Sequence, residues 1–232
     1  MNDAQAYPIG TPGKKWGEDE KAIWLANQRV KRSYSEQVLA RIEPLKEHFD
    51  VEQYGALSIS PNRYPLYIVK TRLWDGNNAT ILVTGGVHGY ETSGVQGAIR
   101  FLETKALNYA TRFNLVVAPC VSPWGYETIN RWNPAAVDPN RSFRADSPAE
   151  EAAALMQYLT SNEMEFTAHI DLHETTDTDN TEFRPALAAR DAITHENWHI
   201  PDGFYLVGDS ERPAADFQSS GLRVKVGSGL LQ

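Results

Sequence analysis

Two unbroken apolar runs, Ile81-Leu82-Val83 and Leu115-Val116-Val117-Ala118, flank a segment in which Val95, Ala98, Ile99 and Leu102 recur at i, i+3, i+4 and i+7. That spacing places four side chains on one helix face, whereas continuous apolar runs suit strands covered on both sides. Strand, helix, strand in this order is the crossover unit of an α/β sheet, and it limits the fold more than any other stretch of the chain.

The flanking sequence extends the unit in both directions. Between Asp19 and His48, apolar residues at helical spacing predict one long helix or two joined ones. Two β-like runs follow, Val51 to Ser60 and Leu66 to Trp74, and the turn Asp75-Gly76-Asn77-Asn78 leads into Thr80, so a β-meander is expected at the start of the sheet. Downstream, Ser147-Pro148-Ala149-Glu150 combines an N-cap serine, a first-turn proline and a capping-box glutamate, which predicts a helix through Leu159. Phe166 to Leu172 reads as the next strand, Ala186 to His199 as helical in part, and Phe204 to Val207 as a short apolar run. The expected fold is α/β, with three α/β/α layers around a mixed, largely parallel sheet. Residues 1–16 read as an N-terminal arm over the surface, and 17–232 as a single domain, a size that 232 residues with 41% hydrophobic content can sustain.

Composition narrows the function classes. A net charge of -8 argues against a nucleic-acid surface, which depends on clustered Lys and Arg. No stretch reaches the roughly 18 apolar residues of a membrane span, and the first residues lack an apolar export segment, so a cytoplasmic protein is expected. The single cysteine, Cys120, excludes an intrachain disulfide and a cysteine-based metal cluster, leaving His, Asp and Glu as candidate ligands.

Such candidates stand where strands end. In Gly85-Gly86-Val87-His88-Gly89-Tyr90-Glu91, glycines permit a tight turn, and a histidine and glutamate three apart at a helix start can reach one ion. His173 closes the strand ending Asp171-Leu172, and two histidines with one glutamate form a common set for catalytic zinc. Taken alone, His-x-x-Glu reads more simply as a helix-start histidine with a glutamate complementing the helix dipole.

The order of Gly86-Val87-His88-Gly89-Tyr90-Glu91, Arg131, Asp138-Pro139-Asn140-Arg141 and Asp171-Leu172-His173 resembles the zinc carboxypeptidase family, including its carboxypeptidase A-like and aspartoacylase-like branches, over roughly residues 50 to 175. The resemblance implies a zinc exopeptidase-like fold and one Zn²⁺ on His88, Glu91 and His173. It also implies Arg131 facing the oxyanion, and Asn140 with Arg141 gripping a substrate carboxylate. Asp171 would orient an imidazole from behind or serve a second ion. The implied substrates are a peptide with a free carboxylate or an N-acyl amino acid, and the implied reaction is hydrolysis of the adjacent amide.

Three features bear on that reading. The family's general-base glutamate sits on a late strand, yet no acidic residue follows Asp216; Glu174 is the one nearby substitute. A chain lacking the family's last strand and helix is therefore expected, with self-association through an uncovered edge, and a catalytically impaired metal-binding relative is a third reading. Finally, His195-Glu196-Asn197-Trp198-His199 has the form of a helical zincin motif, but Pro201 would stop its helix at once, so these histidines are expected in a surface loop.

Overall fold

The computed structural model describes residues 7–200, 203 and 206–208, so Pro201, Asp202, Phe204, Tyr205 and the sequence from Asp209 onward lie outside the described residues. The chain divides into two units, Met1–Asn197 and Trp198–Gln232, and the sheet lies in the first. Strands β1 (Phe49–Ala56), β2 (Pro65–Thr71), β3 (Ala79–Gly85), β4 (Phe113–Ala118) and β5 (Ala168–Leu172) form one sheet in the order β1-β2-β4-β3-β5. The β3–β4 and β3–β5 pairs are parallel, whereas β1–β2 and β2–β4 are antiparallel. The sheet is therefore mixed, as its crossover unit and opening hairpin require.

The expected meander stops after that hairpin, because β4 inserts between β2 and β3. Burial accounts for the difference. Leu66, Ile68 and Val69 of β2 and Val116, Val117 and Ala118 of β4 are all fully buried, and strands apolar on both faces belong in the centre of a sheet. Strands β1 and β5 carry more polar residues and take the edges, where Ile170 of β5 is 45% exposed.

Helices α1 (Glu18–Asn27) and α2 (Ala40–Ile42, flanked by a π turn at Ser35–Leu39 and a 3-10 turn at Glu43–Glu47) are two segments, separated by extended backbone at Gln28. Then come α3 (Thr92–Thr104), α4 (Ala106–Tyr109), α5 (Pro123–Thr128), α6 (Glu150–Ser161) and α7 (Arg184–Asp191). The anticipated α3 face of Val95, Ala98, Ile99 and Leu102 is buried in one core with Val83, Leu115 and Val117. On the opposite sheet face, Leu155 of α6 joins Leu82, Val116 and Ala118 in a second core. Alternation along β3 and β4 thus feeds two cores, which makes three layers. Of residues 7–16, Ile9 and Trp16 are buried, and the Trp16 amide donates to Arg190 O at the end of α7. Among the described residues no helix is long and apolar enough to cross a membrane.

Helix α6 starts later than its capping signal suggests. Its N-cap is Ala149, because the Ser147 hydroxyl is held in a local turn, donating to Ala149 O and accepting from Ala149 N. The Glu150 carboxylate accepts from Ser58 N and Oγ, both at 2.7 Å, and so ties the helix start to the β1–β2 loop.

Beside it, Glu151 is 1% exposed, and apart from its own amide its donors are distant: Asn133 Nδ2 lies 3.3 Å away, and Ser122 Oγ, also at 3.3 Å, has its one proton directed to Val87 O at 2.7 Å. Burial outweighs these donors and raises its pKa. A carboxyl whose folded pKa lies above its unfolded value stabilises fully below the unfolded value, and that stability is lost as pH rises through the folded one. Glu151→Gln, which keeps shape and hydrogen bonding without the charge, should therefore raise the melting temperature at pH 7. The expected gain is on the order of 1 kcal/mol, or about 2–4 °C, and it should shrink as pH falls toward the ordinary glutamate range. Thermal melts of both proteins from neutral pH down into the ordinary glutamate range check this; equal melting at neutral pH would contradict it.

Candidate metal centre

The site forms where parallel strands β3 and β5 end side by side, the usual ligand position of an α/β sheet. Gly85 pairs with Leu172 in the parallel register, so the turn after β3 and the residue after β5 meet. Gly86 takes φ +60° to begin the turn, and a side chain there would also strike Val95. His88 follows, and Glu91 is the N-cap of α3. Both are 2% exposed.

Glu91 is the hub. Its Oε1 lies 2.8 Å from His88 Nδ1, and its Oε2 lies 2.7 Å from His173 Nδ1. Each ring turns its other nitrogen to an aspartate: His88 Nε2 is 2.9 Å from Asp138 Oδ1, and His173 Nε2 is 2.6 Å from Asp171 Oδ2. The latter is a close ionic approach, since the buried Nε2 lies off the line a hydrogen bond needs. Burial opposes charge on Glu91, but His88 and His173 hold it at about 2. Burial likewise opposes charge on His173, yet Asp171 and Glu91 at its two nitrogens push it up to about 10. Asp138 also ionises below the ordinary range in spite of burial, through His88 and Arg131.

The donor set suits a divalent cation. One donor atom each from His88, Glu91 and His173 lies within 4.8 Å of the others, the one such group among the described residues. Two imidazoles and a carboxylate are borderline-soft and hard donors of the kind zinc takes. Asp138 and Asp171 stand behind the two rings, the position from which outer carboxylates orient histidines in metal sites.

Arg131 lies beside this cluster, its Nε 3.2 Å from Asp138 Oδ2 and its Nη1 3.2 Å from Asp179 Oδ1. Asp179 also accepts from the Tyr90 hydroxyl at 2.9 Å and from Thr176 N at 3.1 Å. Asn140 is buried in the 3-10 turn Pro139–Arg141 that Asp138 caps, whereas Arg141 is exposed. Glu174 turns its carboxylate to the start of α3, where Oε2 accepts from Ser93 N and Oγ, both at 3.0 Å. The structure thus gathers His88, Glu91, His173, Arg131 and Asp171, and engages Glu174 as a helix cap.

Sequence reasoning quoted Asp138 without assigning it a partner and missed Asp179 altogether. Asp138 had a local signal, an N-cap aspartate two residues before a buried asparagine. Asp179 opens the π turn Asp179–Phe183 in a Thr- and Asp-rich stretch, and nothing in the sequence says which of its acids turns inward. Cys120 is buried, and burial pushes its thiol up, in keeping with an unreactive filler. Residues 193–200 have no regular secondary structure, so His195 and His199 lack the helix that a zincin pair needs.

The chain belongs to the succinylglutamate desuccinylase/aspartoacylase catalytic domain family, whose profile matches residues 77–204, more than half of its length. That family is one of hydrolases, and the matched span contains all three proposed metal ligands. No curated protein sequence matches the chain. Among solved structures, a candidate metallopeptidase of Shewanella amazonensis is similar with a TM-score of 0.52 and 22% identity, over 61% of this chain and 54% of that one. A candidate carboxypeptidase A of Shewanella denitrificans gives a TM-score of 0.52 and 19% identity, over 62% and 40%. A metallo-carboxypeptidase of Burkholderia cenocepacia gives 0.50 and 14%, over 69% and 42%. At these identities the likeness is one of fold, and the matched regions span about half or less of those proteins' lengths.

Proposed function

We propose that this chain is a zinc-dependent hydrolase that cleaves an amide bond next to a free carboxylate. The observation that carries the reading is the convergence of His88 Nδ1 and His173 Nδ1 on the two oxygens of the buried Glu91 carboxylate. When bound, Zn²⁺ supplies Lewis acidity toward the scissile carbonyl and acidifies its water. Asp138 and Asp171 fix the two rings. Arg131, held from two sides by Asp138 and Asp179, presents its remaining N–H groups to a developing oxyanion without reorganising. Asn140 and the exposed Arg141 bind the substrate carboxylate, the guanidinium in bidentate fashion.

Of the two substrate classes, N-acyl amino acids are favoured by the family match, whose description refers to deacylases. Peptides with a free C-terminus are supported by the carboxypeptidase-like fold. One observation favours a catalytically impaired, metal-binding protein instead: the Glu174 carboxylate, the candidate base, is engaged at Ser93.

Assays of the zinc-loaded full-length protein against both substrate classes test these readings. Chelator-sensitive hydrolysis is expected, with Arg131→Ala lowering kcat by about 10²–10³-fold, the worth of one oxyanion donor. Arg141→Ala should act mainly on KM. Zinc bound without hydrolysis of either class would overturn the hydrolase reading and leave the impaired one.

A further inference from the structure

Residues 169, 171 and 173 alternate along β5 and its end, so their side chains share one side of the strand. Thr84 of β3 pairs with Asp171 in the parallel register and is 1% exposed. Its Oγ1 lies 2.7 Å from Asp171 Oδ1 and 2.8 Å from His169 Nε2. A hydroxyl has one proton and a carboxylate none, so the Thr84 proton goes to Asp171 and its oxygen accepts from His169. His169 is therefore the Nε2–H donor, and the chain has one direction: His169 to Thr84 to Asp171. Asp171 Oδ2 then meets His173 Nε2 at 2.6 Å.

We propose that Thr84 and His169 are positioning residues for the metal centre, fixing the Asp171 carboxylate so that it holds His173 with Nδ1 aimed at Glu91. The proposal rests on the metal reading above and adds two residues that touch neither metal ligand nor substrate. Asp171 sits on an edge strand, where a carboxylate has room to turn to water. The Thr84 hydroxyl, anchored on the central side of that edge, removes the freedom. His169 is exposed on the strand but aims its ring at Thr84, which sets the hydroxyl's orientation by leaving only its lone pair facing the ring. The threonine methyl cannot do this, so hydroxyl chemistry rather than volume is what the site uses.

The test is Co²⁺ binding to the metal-free full-length chain, read as affinity and as the visible spectrum that reports ligand geometry. Thr84→Val keeps the shape and removes the hydroxyl, and should weaken Co²⁺ binding by up to about 10-fold, the lower end of the cost of losing a histidine's outer partner, because Thr84 acts through Asp171 rather than on His173 itself. Its spectrum should change as well. Thr84→Ser restores the hydroxyl and should bind much more tightly than Thr84→Val. His169→Ala, on the edge strand, should alter the spectrum in the same sense with a smaller loss. Wild-type affinity and spectrum in both Thr84→Val and His169→Ala would overturn the proposal. So would equal weakening in Thr84→Ser and Thr84→Val, which would assign the effect to packing. Failure of the wild-type chain to bind Co²⁺ stoichiometrically is a different result, and it would remove the metal reading itself.

Discussion

His173→Ala should lower zinc affinity more than a hundred-fold, because even the partners behind a metal-binding histidine are worth about 10–100-fold. His88→Ala should match it. Each removes one of the two rings that face the Glu91 carboxylate, which is 2% exposed and held at about 2 by them. The loss is not confined to the ion. Without His173, Glu91 Oε2 and Asp171 Oδ2 lose the ring that lies between them, and breaking a buried ion pair on one side typically costs about 3–5 kcal/mol. His173→Ala should therefore melt lower than wild type even in chelator. His195→Ala, in an exposed loop without regular structure, should change neither property. Zinc content after dialysis, competition with a chromophoric chelator and thermal melts read all three variants. Stoichiometric zinc retained in both His88→Ala and His173→Ala would end the site assignment.

The second large effect lies in the turn that carries His88 and Glu91. A methyl group at Gly89 would stand 2.1 Å from Gly125 C and from Tyr126 N, both backbone atoms of α5. No side-chain rotation relieves that contact, so the turn or α5 must move. Overpacking of this kind costs about 3 kcal/mol, and Gly89→Ala should lower the melting temperature by on the order of 10 °C. Gly89 separates His88 from Tyr90 and Glu91, so zinc affinity should fall with it. Gly97→Ala is the matched control: nothing lies within 4 Å of its added methyl group, and in the middle of α3 alanine should stabilise by about 0.5–1 kcal/mol. A Gly89→Ala protein that melts with wild type would show that α5 yields more easily than close backbone contact implies.

Much of this was legible in the sequence. The α3 face could be read because helical periodicity is a local property, and the predicted set Val95, Ala98, Ile99 and Leu102 is the buried set. The candidate ligands His88 and Glu91 could be read together because one turn carries both. The β-meander could not be judged locally. Thr80 to Val83 follows β2 closely in sequence, but β4 competes for the place beside β2 with a more thoroughly buried apolar run. Helix capping failed for a similar reason: Ser147 had a nearer partner in its own turn. Asp179 and Thr84 were invisible because a polar residue declares its partner only after the chain has brought that partner to it.

By itself, then, the sequence determined which strands are covered on both faces, which glycine turn follows β3, and which side chains at strand ends have metal-binding chemistry. These depend on residue type and on spacing within a turn or a helix. Only the tertiary structure decided that Glu91 reaches His173 across 82 positions, that Asp138 and Asp171 stand behind the two rings, and that Glu174 caps a helix. The physical reason is the sheet register. Pairing Gly85 with Leu172 brings the turn after β3 against the residues after β5, which sets the reach of Glu91 to His173 and of Glu174 to Ser93, and register is a property of paired strands rather than of any one residue of the site.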